Sequence, residues 1–360
     1  MHRSRALAEP HDIGATGAAR VPAARDPRRA RLDFLDGLRG VAALAVFLAH
    51  ALDQIWPAYH TFAESRFQLG NWGVVVFFLC SGFIIPISLE RQGSLRRFWI
   101  RRLLRLYPLY WLSVVLCMLC ALAGVSAFAR ATVARPIGVF VANLTMFQAF
   151  LGYPYLNTVY WTLTVEMLFY LAISALFVGR MLRNTAPITA ILLSATIAVE
   201  LLAPQAVGLI YLLPLALIFV GTIFYRIHQG TIGRTPAAGV LALALAMLAA
   251  PLFGPPDALA EQLPWFTAQI SALGFFGAVF LLRGRRTSPV ALYLGRISYS
   301  LYLLHTLVIA LIPPAGGPIF TLLVWASALL VLASATYRWV EQPAIAWGQR
   351  LTRHRAPAHE

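Results

Sequence analysis

The chain has 360 residues, of which 59% are hydrophobic and 12% charged, and its formal net charge is +15. This composition is too apolar for a soluble domain and indicates a polytopic membrane protein. All 29 basic residues are arginines, and they lie in short segments between apolar runs. The positive-inside rule accounts for that distribution, so no nucleic-acid partner is expected.

The two ends of the chain are polar. Residues 1–31 are basic and lack the apolar region of a signal peptide, so we expect a disordered cytoplasmic tail that contacts membrane lipid at most. Residues 32–347 form the predicted membrane domain, and residues 348–360 form a second cytoplasmic tail.

The fold class predicted from the sequence is an all-α polytopic membrane protein with about ten transmembrane helices around a central cavity. Ten apolar runs are long enough to cross a bilayer. They lie near residues 34–56, 71–89, 99–125, 159–179, 186–203, 206–225, 236–253, 264–282, 290–312 and 318–345.

The arginines predict the orientation of these helices. With both termini in the cytoplasm, 26 of the 29 arginines fall in segments on the cytoplasmic side. Counting residues 136–152 as an eleventh span would invert the topology of everything that follows. We therefore interpret 136–152 as a re-entrant or interfacial segment on the outer side, where protein or water satisfies its backbone.

The first predicted helix carries two ionisable residues, Arg39 and His50. They are 11 residues apart, which places them on one face and about 16 Å apart along the axis. Such residues inside a membrane helix indicate a functional site. Arg39 is suited to binding phosphate, and His50 to general-base catalysis. The alternative is that Arg39 extends to the interface and His50 bonds a backbone carbonyl.

Two further stretches carry polar residues in apolar surroundings. Arg102 and Arg105 lie about one helical turn apart in RRFWIRRLLRLYPLYW. They could bind a phosphate group together, or they could anchor the helix at the inner membrane surface. Glu166 lies in VYWTLTVEMLFY, either in an ion pair with an arginine of another helix or as a group that orients His50 or binds an acceptor hydroxyl. Ser81, in a Ser-Gly break, is compatible with close approach of a ligand or with ordinary helix packing.

Two residues near the end of the chain complete the candidates. His305 is either a hydrogen-bonded interior histidine or a second base or substrate contact. Glu341 is followed by Pro343, and an ion pair with Arg338 three residues earlier is the simplest explanation for it. Cys117 and Cys120 form a CxxC pair without further ligands nearby, so we expect apolar packing and no metal.

Six motifs in series resemble the acyltransferase-3 family of integral-membrane O-acyltransferases and extend over residues 33–343. They are LDGLRGVAALAVFLAH, GVVVFFLCSGFII, FWIRRLLRLYPLYW, WTLTVEMLFYL, LGRISYSLYLLH and YRWVEQP. Where members of this family often carry a second acid followed by Gln, this chain has Met167 and Leu168 after Glu166.

The resemblance implies transfer of an acyl group, usually acetyl, from cytoplasmic acyl-CoA to a hydroxyl of a carbohydrate or glycolipid, in a bacterial inner membrane. It implies that His50 is the catalytic residue, with Arg39 as its motif partner, and that Arg102 and Arg105 bind the donor. Glu166 and Glu341 would be the family's membrane acids. Beyond the resemblance, we expect one of these acids to orient the imidazole, and Ser81 and His305 to contact substrate. A proton-coupled transporter or flippase of a glycolipid is the alternative, and the sequence carries no signal for an oligomeric state.

Overall fold

The computed structural model of the protein describes residues 32–129, 135–203, 209–253 and 256–352. The predicted tails 1–31 and 353–360 lie outside these residues. The described part is helical and contains no strand. Nine of its helices are long and apolar enough to cross a membrane, or ten if one bent pair counts as a single span. The predicted fold class is confirmed.

Among the described residues, the first half of the chain contains seven α-helices, three of which are short. They are α1 (Asp33–Ile55), α2 (Pro57–Ser65), α3 (Leu69–Gln92), α4 (Leu95–Leu122), α5 (Ser126–Ala129), α6 (Pro136–Asn143) and α7 (Trp161–Val178). The sequence interpretation missed α2, whose Pro57 occupies the first helical turn, where its missing N–H costs nothing.

The second half of the described chain contains eight α-helices. They are α8 (Thr185–Leu202), α9 (Leu209–Gln229), α10 (Arg234–Ala249), α11 (Pro256–Leu281), α12 (Pro289–Arg296), α13 (Ser298–Leu311), α14 (Pro318–Thr336) and α15 (Gln342–Leu351), with a π-helical turn at Tyr337–Glu341 before α15. The predicted span 290–312 is bent by 67° between α12 and α13. The bend and the π turn are two breaks that hydropathy did not reveal.

Residues 136–152 do not form a span. Helix α6 has eight residues, and the chain after it accepts hydrogen bonds from the middle of α4: Tyr107 donates to Thr145 O at 2.9 Å and Trp111 donates to Leu144 O at 3.0 Å. Tyr107 is 15 residues, or about 22 Å, from the Leu122 end of α4. The segment therefore returns to the middle of the bundle, as a re-entrant segment does.

Helix α1 is held in the centre of the bundle by close backbone contacts. A Cβ atom at Gly295 of α12 would lie 2.0 Å from the carbonyl oxygen of Asp36, so only glycine permits this approach. Small residues allow membrane helices to pack at such distances. Helices α3, α12 and α13 surround α1, and this arrangement fixes the positions of Arg39 and His50 along it.

Candidate active site

Two cavities lie beside α1, and its two polar side chains face different ones. Arg39 lines the first, which we call the arginine cavity, and His50 lines the second, which we call the histidine cavity. The arginine cavity measures about 710 Å³ including its open mouth. Its polar lining comes from five helices: Arg39, Ser81, Arg102, Arg105, Thr162, Glu166, Tyr299 and Tyr302. The sequence-predicted residues Arg39, Ser81, Arg102, Arg105 and Glu166 are thus brought together.

The arginine cavity carries an excess of positive charge. In the described part of the chain, none of its three guanidinium groups has a carboxylate oxygen within 4.0 Å. Arg102 lies over the rings of Phe98 and Tyr170, with its guanidinium carbon 5.6 and 5.8 Å from their centroids. Aromatic faces hold a guanidinium in place without neutralising it. Three cations against one carboxylate make this cavity suited to an anionic ligand.

Glu166 is hydrogen-bonded rather than ion-paired. Tyr170 OH donates to Glu166 Oε1 at 2.5 Å, and Ser81 Oγ donates to the same oxygen at 3.4 Å. The expected ion pair with an arginine of another helix is therefore wrong, although Arg102 and Arg39 attract the carboxylate at longer range. Glu166 holds two hydroxyl groups at the wall of the arginine cavity.

Glu341 lies behind the arginine cavity, in the π-helical turn. Its side chain is 3% exposed and accepts a hydrogen bond from Ser300, which also accepts one from Thr336 at 3.1 Å. The expected local ion pair with Arg338 is wrong, because Arg338 is exposed while Glu341 turns into the bundle. Glu341 is attracted instead by the charges of Arg105 and Arg39, so it belongs to the same electrostatic group.

The histidine cavity has the opposite character. It measures about 960 Å³ including its open mouth. Its polar and aromatic lining includes His50, Asp53, His60, Glu64, Asn71 and Trp265, and no arginine of the described ranges lines it. His50 itself is exposed to this space. The alternative in which His50 bonds a backbone carbonyl does not hold, since no hydrogen bond of His50 occurs among the described residues.

A second histidine bridges the two carboxylates of this cavity. His60 Nδ1 lies 2.7 Å from Asp53 Oδ1, and its Nε2 lies 3.2 Å from Glu64 Oε1. The hydrogen bond to Asp53, together with the charges of Glu64 and Asp53, raises the pKa of the His60 imidazole. His60 thus bridges two acids in the lining of the cavity that contains His50.

His305 packs directly against His50. The two imidazole rings are stacked, with centroids 5.1 Å apart and an angle of 28° between their planes. His305 is fully buried, and its Nδ1 donates to Tyr302 O at 2.7 Å. Its Nε2 has no hydrogen-bond partner among the described residues. Only one of the two ring nitrogens of His305 is therefore hydrogen-bonded to the protein. It positions the ring of His50 from behind.

A thin wall separates the two cavities. Val74 and Tyr302 line both of them. The Tyr302 hydroxyl hydrogen-bonds Thr162 Oγ1 at 2.8 Å and donates to Val159 O at 3.2 Å, and its ring meets the ring of Phe77 edge-on at 5.5 Å. The arginine and histidine cavities are therefore neighbours across a single layer of side chains.

The structure also separates residues that the sequence analysis joined. Neither Glu166 nor Glu341 lies within hydrogen-bonding distance of His50, so the expected contact with the imidazole is absent from the described residues. The acid that acts on His50 is Asp53, one turn further along α1. The pairs His50–Asp53 and His60–Glu64, at spacings of three and four residues, carried the signal that was missed.

Taken together, the fold and the two cavities define a class: a polytopic helical membrane protein with ionisable side chains inside the bundle, arranged for chemistry on a charged ligand. Groups of three or more His, Cys, Asp or Glu residues that could hold a metal do not occur in the described ranges. The sequence model of the Acyltransferase domain, of the acyltransferase-3 type, matches residues 32–338. The chain belongs to this family and is an integral-membrane O-acyltransferase.

Three relatives illustrate the family. Acyltransferase MdmB of Streptomyces mycarofaciens is 36% identical over 156 residues, which cover 40% of this chain and 39% of MdmB. Exopolysaccharide production protein ExoZ of Rhizobium meliloti is 30% identical over 79% of this chain and 92% of its own length. Putative acetyltransferase ORF330 of Acidianus two-tailed virus is 26% identical over 81% of this chain and 86% of its own. No solved structure matches the chain.

Proposed function

We propose that the protein transfers an acyl group, most simply acetyl, from cytoplasmic acyl-CoA to a hydroxyl of a carbohydrate or glycolipid at the inner membrane of a bacterium. One observation carries the proposal: Arg39 and His50 stand on one helix face but line adjoining cavities of opposite charge. The first cavity fits an anionic donor, and the second presents an unpaired imidazole to an acceptor.

The donor side is argued from charge. Acyl-CoA carries several phosphates, and guanidinium groups bind phosphate oxygens with paired hydrogen bonds. Arg39, Arg102 and Arg105 are the cations available for this in the arginine cavity. The distance of about 16 Å from Arg39 to His50 along α1 is comparable to the flexible arm of coenzyme A. This arm reaches His50 only by displacing side chains of the wall at Tyr302.

The chemical step follows from the free imidazole. His50 takes the proton of the acceptor hydroxyl as its oxygen attacks the thioester carbonyl. The carbon–sulfur bond breaks, an ester forms, and the proton passes to the sulfur of the leaving coenzyme A. Asp53 stabilises the His50 cation that exists between these events. In the second route His50 itself accepts the acyl group before the acceptor does.

The two membrane acids have a supporting role. Glu166 orients the hydroxyls of Tyr170 and Ser81, and Glu341 orients Ser300. Both offset part of the arginine charge while no donor is bound, which lowers the cost of keeping three cations inside the bundle.

The acceptor is proposed to be a carbohydrate. The name of ExoZ places that relative in exopolysaccharide production, and polar groups interleaved with Trp and Tyr around the histidine cavity suit a sugar. With the arginine cavity on the cytoplasmic side, where most arginines lie, the histidine cavity would open towards the opposite surface.

Purified protein in detergent tests this function. We expect acetyl-CoA to release free coenzyme A at a rate that rises with added glycoside or polysaccharide fragments, with acetyl esters detected on them by mass spectrometry. Transport of a glycolipid in vesicles without any coenzyme A release would favour the flippase instead. Rapid-quench labelling without acceptor separates the two routes, since only the second leaves labelled His50.

A further inference from the structure

The histidine cavity differs from the arginine cavity in more than its charge. Aromatic side chains from three helices line it: Trp265 of α11, which is 46% exposed, Trp161 of α7 and Tyr59 of α2. Asn71 also lines it, and its side-chain nitrogen has no hydrogen-bond partner within the described residues. A concave site with aromatic walls and a few unsatisfied polar groups is typical of a binding site for a small organic ligand.

The charges of this cavity restrict which ligand fits. Asp53 and Glu64 contribute two carboxylates with His60 between them, so this group stays net negative whether or not His60 is protonated, and no basic residue of fixed charge lines the space among the described residues. A ligand carboxylate placed here would meet a net negative charge and gain no guanidinium from those residues. A hydroxyl or an ammonium group would instead gain charge-assisted hydrogen bonds.

On the basis of the proposed function, we propose that the histidine cavity is the acceptor subsite and that it selects a neutral sugar or an amino sugar over a uronic acid. Trp265 provides the flat apolar face for the sugar ring, and Asn71 and Asp53 take its hydroxyls. Asp53 and Glu64 exclude the acid. The repulsion between a ligand anion and this net negative group should give at least about tenfold discrimination.

The test measures binding, so it does not depend on turnover. Purified full-length protein in detergent is mixed with methyl glucoside, methyl glucosaminide or methyl glucuronide, and saturation-transfer NMR gives each affinity. The second and third probes each differ from the glucoside at one substituent. We expect the neutral and amino sugars to bind and the glucuronide to bind at least about tenfold more weakly. Equal affinity for the glucuronide, or no binding of any probe, would overturn the proposal.

Single substitutions test which side chains of the histidine cavity bind the sugar and which exclude the glucuronide. Trp265→Ala should lower the affinity for methyl glucoside at least about fivefold, whereas the matched Trp347→Ala, whose side chain is 57% exposed on α15, should not. Glu64→Gln should increase glucuronide binding, and Glu261→Gln on exposed α11 surface should leave it unchanged. A gain of binding cannot arise from misfolding.

The outcomes also separate the two proposals. If the glycosides bind with this selectivity but acetyl-CoA is never turned over, the subsite stands and the proposed reaction fails. If coenzyme A is released in the presence of acceptor but the glucuronide binds as well as the glucoside, the reaction stands and the subsite fails.

Discussion

The two cavities of this enzyme are built on opposite principles. In the arginine cavity, Arg102 is held by two aromatic rings, and within the described residues no carboxylate lies in ion-pair range of the three guanidinium groups, so their positive charge is free for a ligand. In the histidine cavity, His60 bridges two carboxylates and offsets at most part of their charge, so that cavity stays net negative. The first cavity is suited to attracting an anion, and the second to rejecting one.

The largest expected effect comes from removing the base of the histidine cavity. His50→Ala should reduce acyl transfer by about 10²–10⁴-fold, the usual contribution of a general base, while the chromatographic profile in detergent stays unchanged. His228→Gln, on a histidine outside both cavities, is the matched control. Turnover at the wild-type rate in His50→Ala would remove this residue from catalysis.

The second effect concerns the arginine cavity alone. Arg102→Ala combined with Arg105→Ala should raise the KM for acetyl-CoA by at least about tenfold, because charge-assisted hydrogen bonds to phosphate contribute roughly 1.5–3 kcal/mol each. The affinity for methyl glucoside should not change. Arg285→Ala with Arg286→Ala removes two exposed arginines outside the cavity as a control. An unaltered donor KM in the first double variant would leave its arginines as topology determinants only.

A smaller effect is expected at the wall between the cavities. Tyr302→Phe removes the hydroxyl that bonds Thr162 and Val159 but keeps the ring against Phe77. The loss of one or two net hydrogen bonds, about 1 kcal/mol each, should change the KM values of donor and acceptor together by about fivefold. Steady-state kinetics with both substrates distinguishes this joint change of two KM values from the arginine and tryptophan variants, which should affect only one substrate each.

The control at the wall is Tyr337→Phe, which removes a hydroxyl that lines neither cavity. If Tyr302→Phe altered only one of the two KM values, the wall would belong to that cavity and the two sites would be independent.

The smallest effect is on pH dependence. Because the pKa of His60 is raised, this side chain stays protonated somewhat above the ordinary histidine value and loses its proton as pH rises further. The cavity then becomes more negative, so the ratio of glucoside to glucuronide affinity should increase with pH, by about threefold. Titration of this ratio in His60→Asn should show a smaller step, and an identical profile would contradict the assignment.

Hydropathy and arginine distribution were enough to predict the helical fold, since both follow from the cost of burying charge in lipid. They also placed 136–152 outside the spans. They could not predict the bend between α12 and α13 or the π turn before α15, because both depend on packing against other helices. Helix α2 was not predicted because it is short and not apolar.

For the site, the motifs predicted which side chains gather around Arg39, but not how they pair. The sequence analysis offered arginines as ionic partners of Glu166 and Glu341, but the structure pairs these acids with the hydroxyls of Tyr170 and Ser300. The spacing of residues in the sequence does not identify hydroxyl partners, since serine and tyrosine are common in membrane helices. Likewise, Trp265 joins the histidine cavity from α11, far beyond His50 in the sequence, and only the tertiary structure brings it there.

The wall at Val74 and Tyr302 has one consequence for the cell that makes this protein. A membrane that stores energy as a proton gradient cannot tolerate an aqueous pore, yet the proposed reaction brings together an acyl donor and an acceptor from opposite faces. With a plug one residue thick, the thioester arm of the proposed donor would itself fill the passage as it enters. In that reaction acyl groups would cross while protons and metabolites would not.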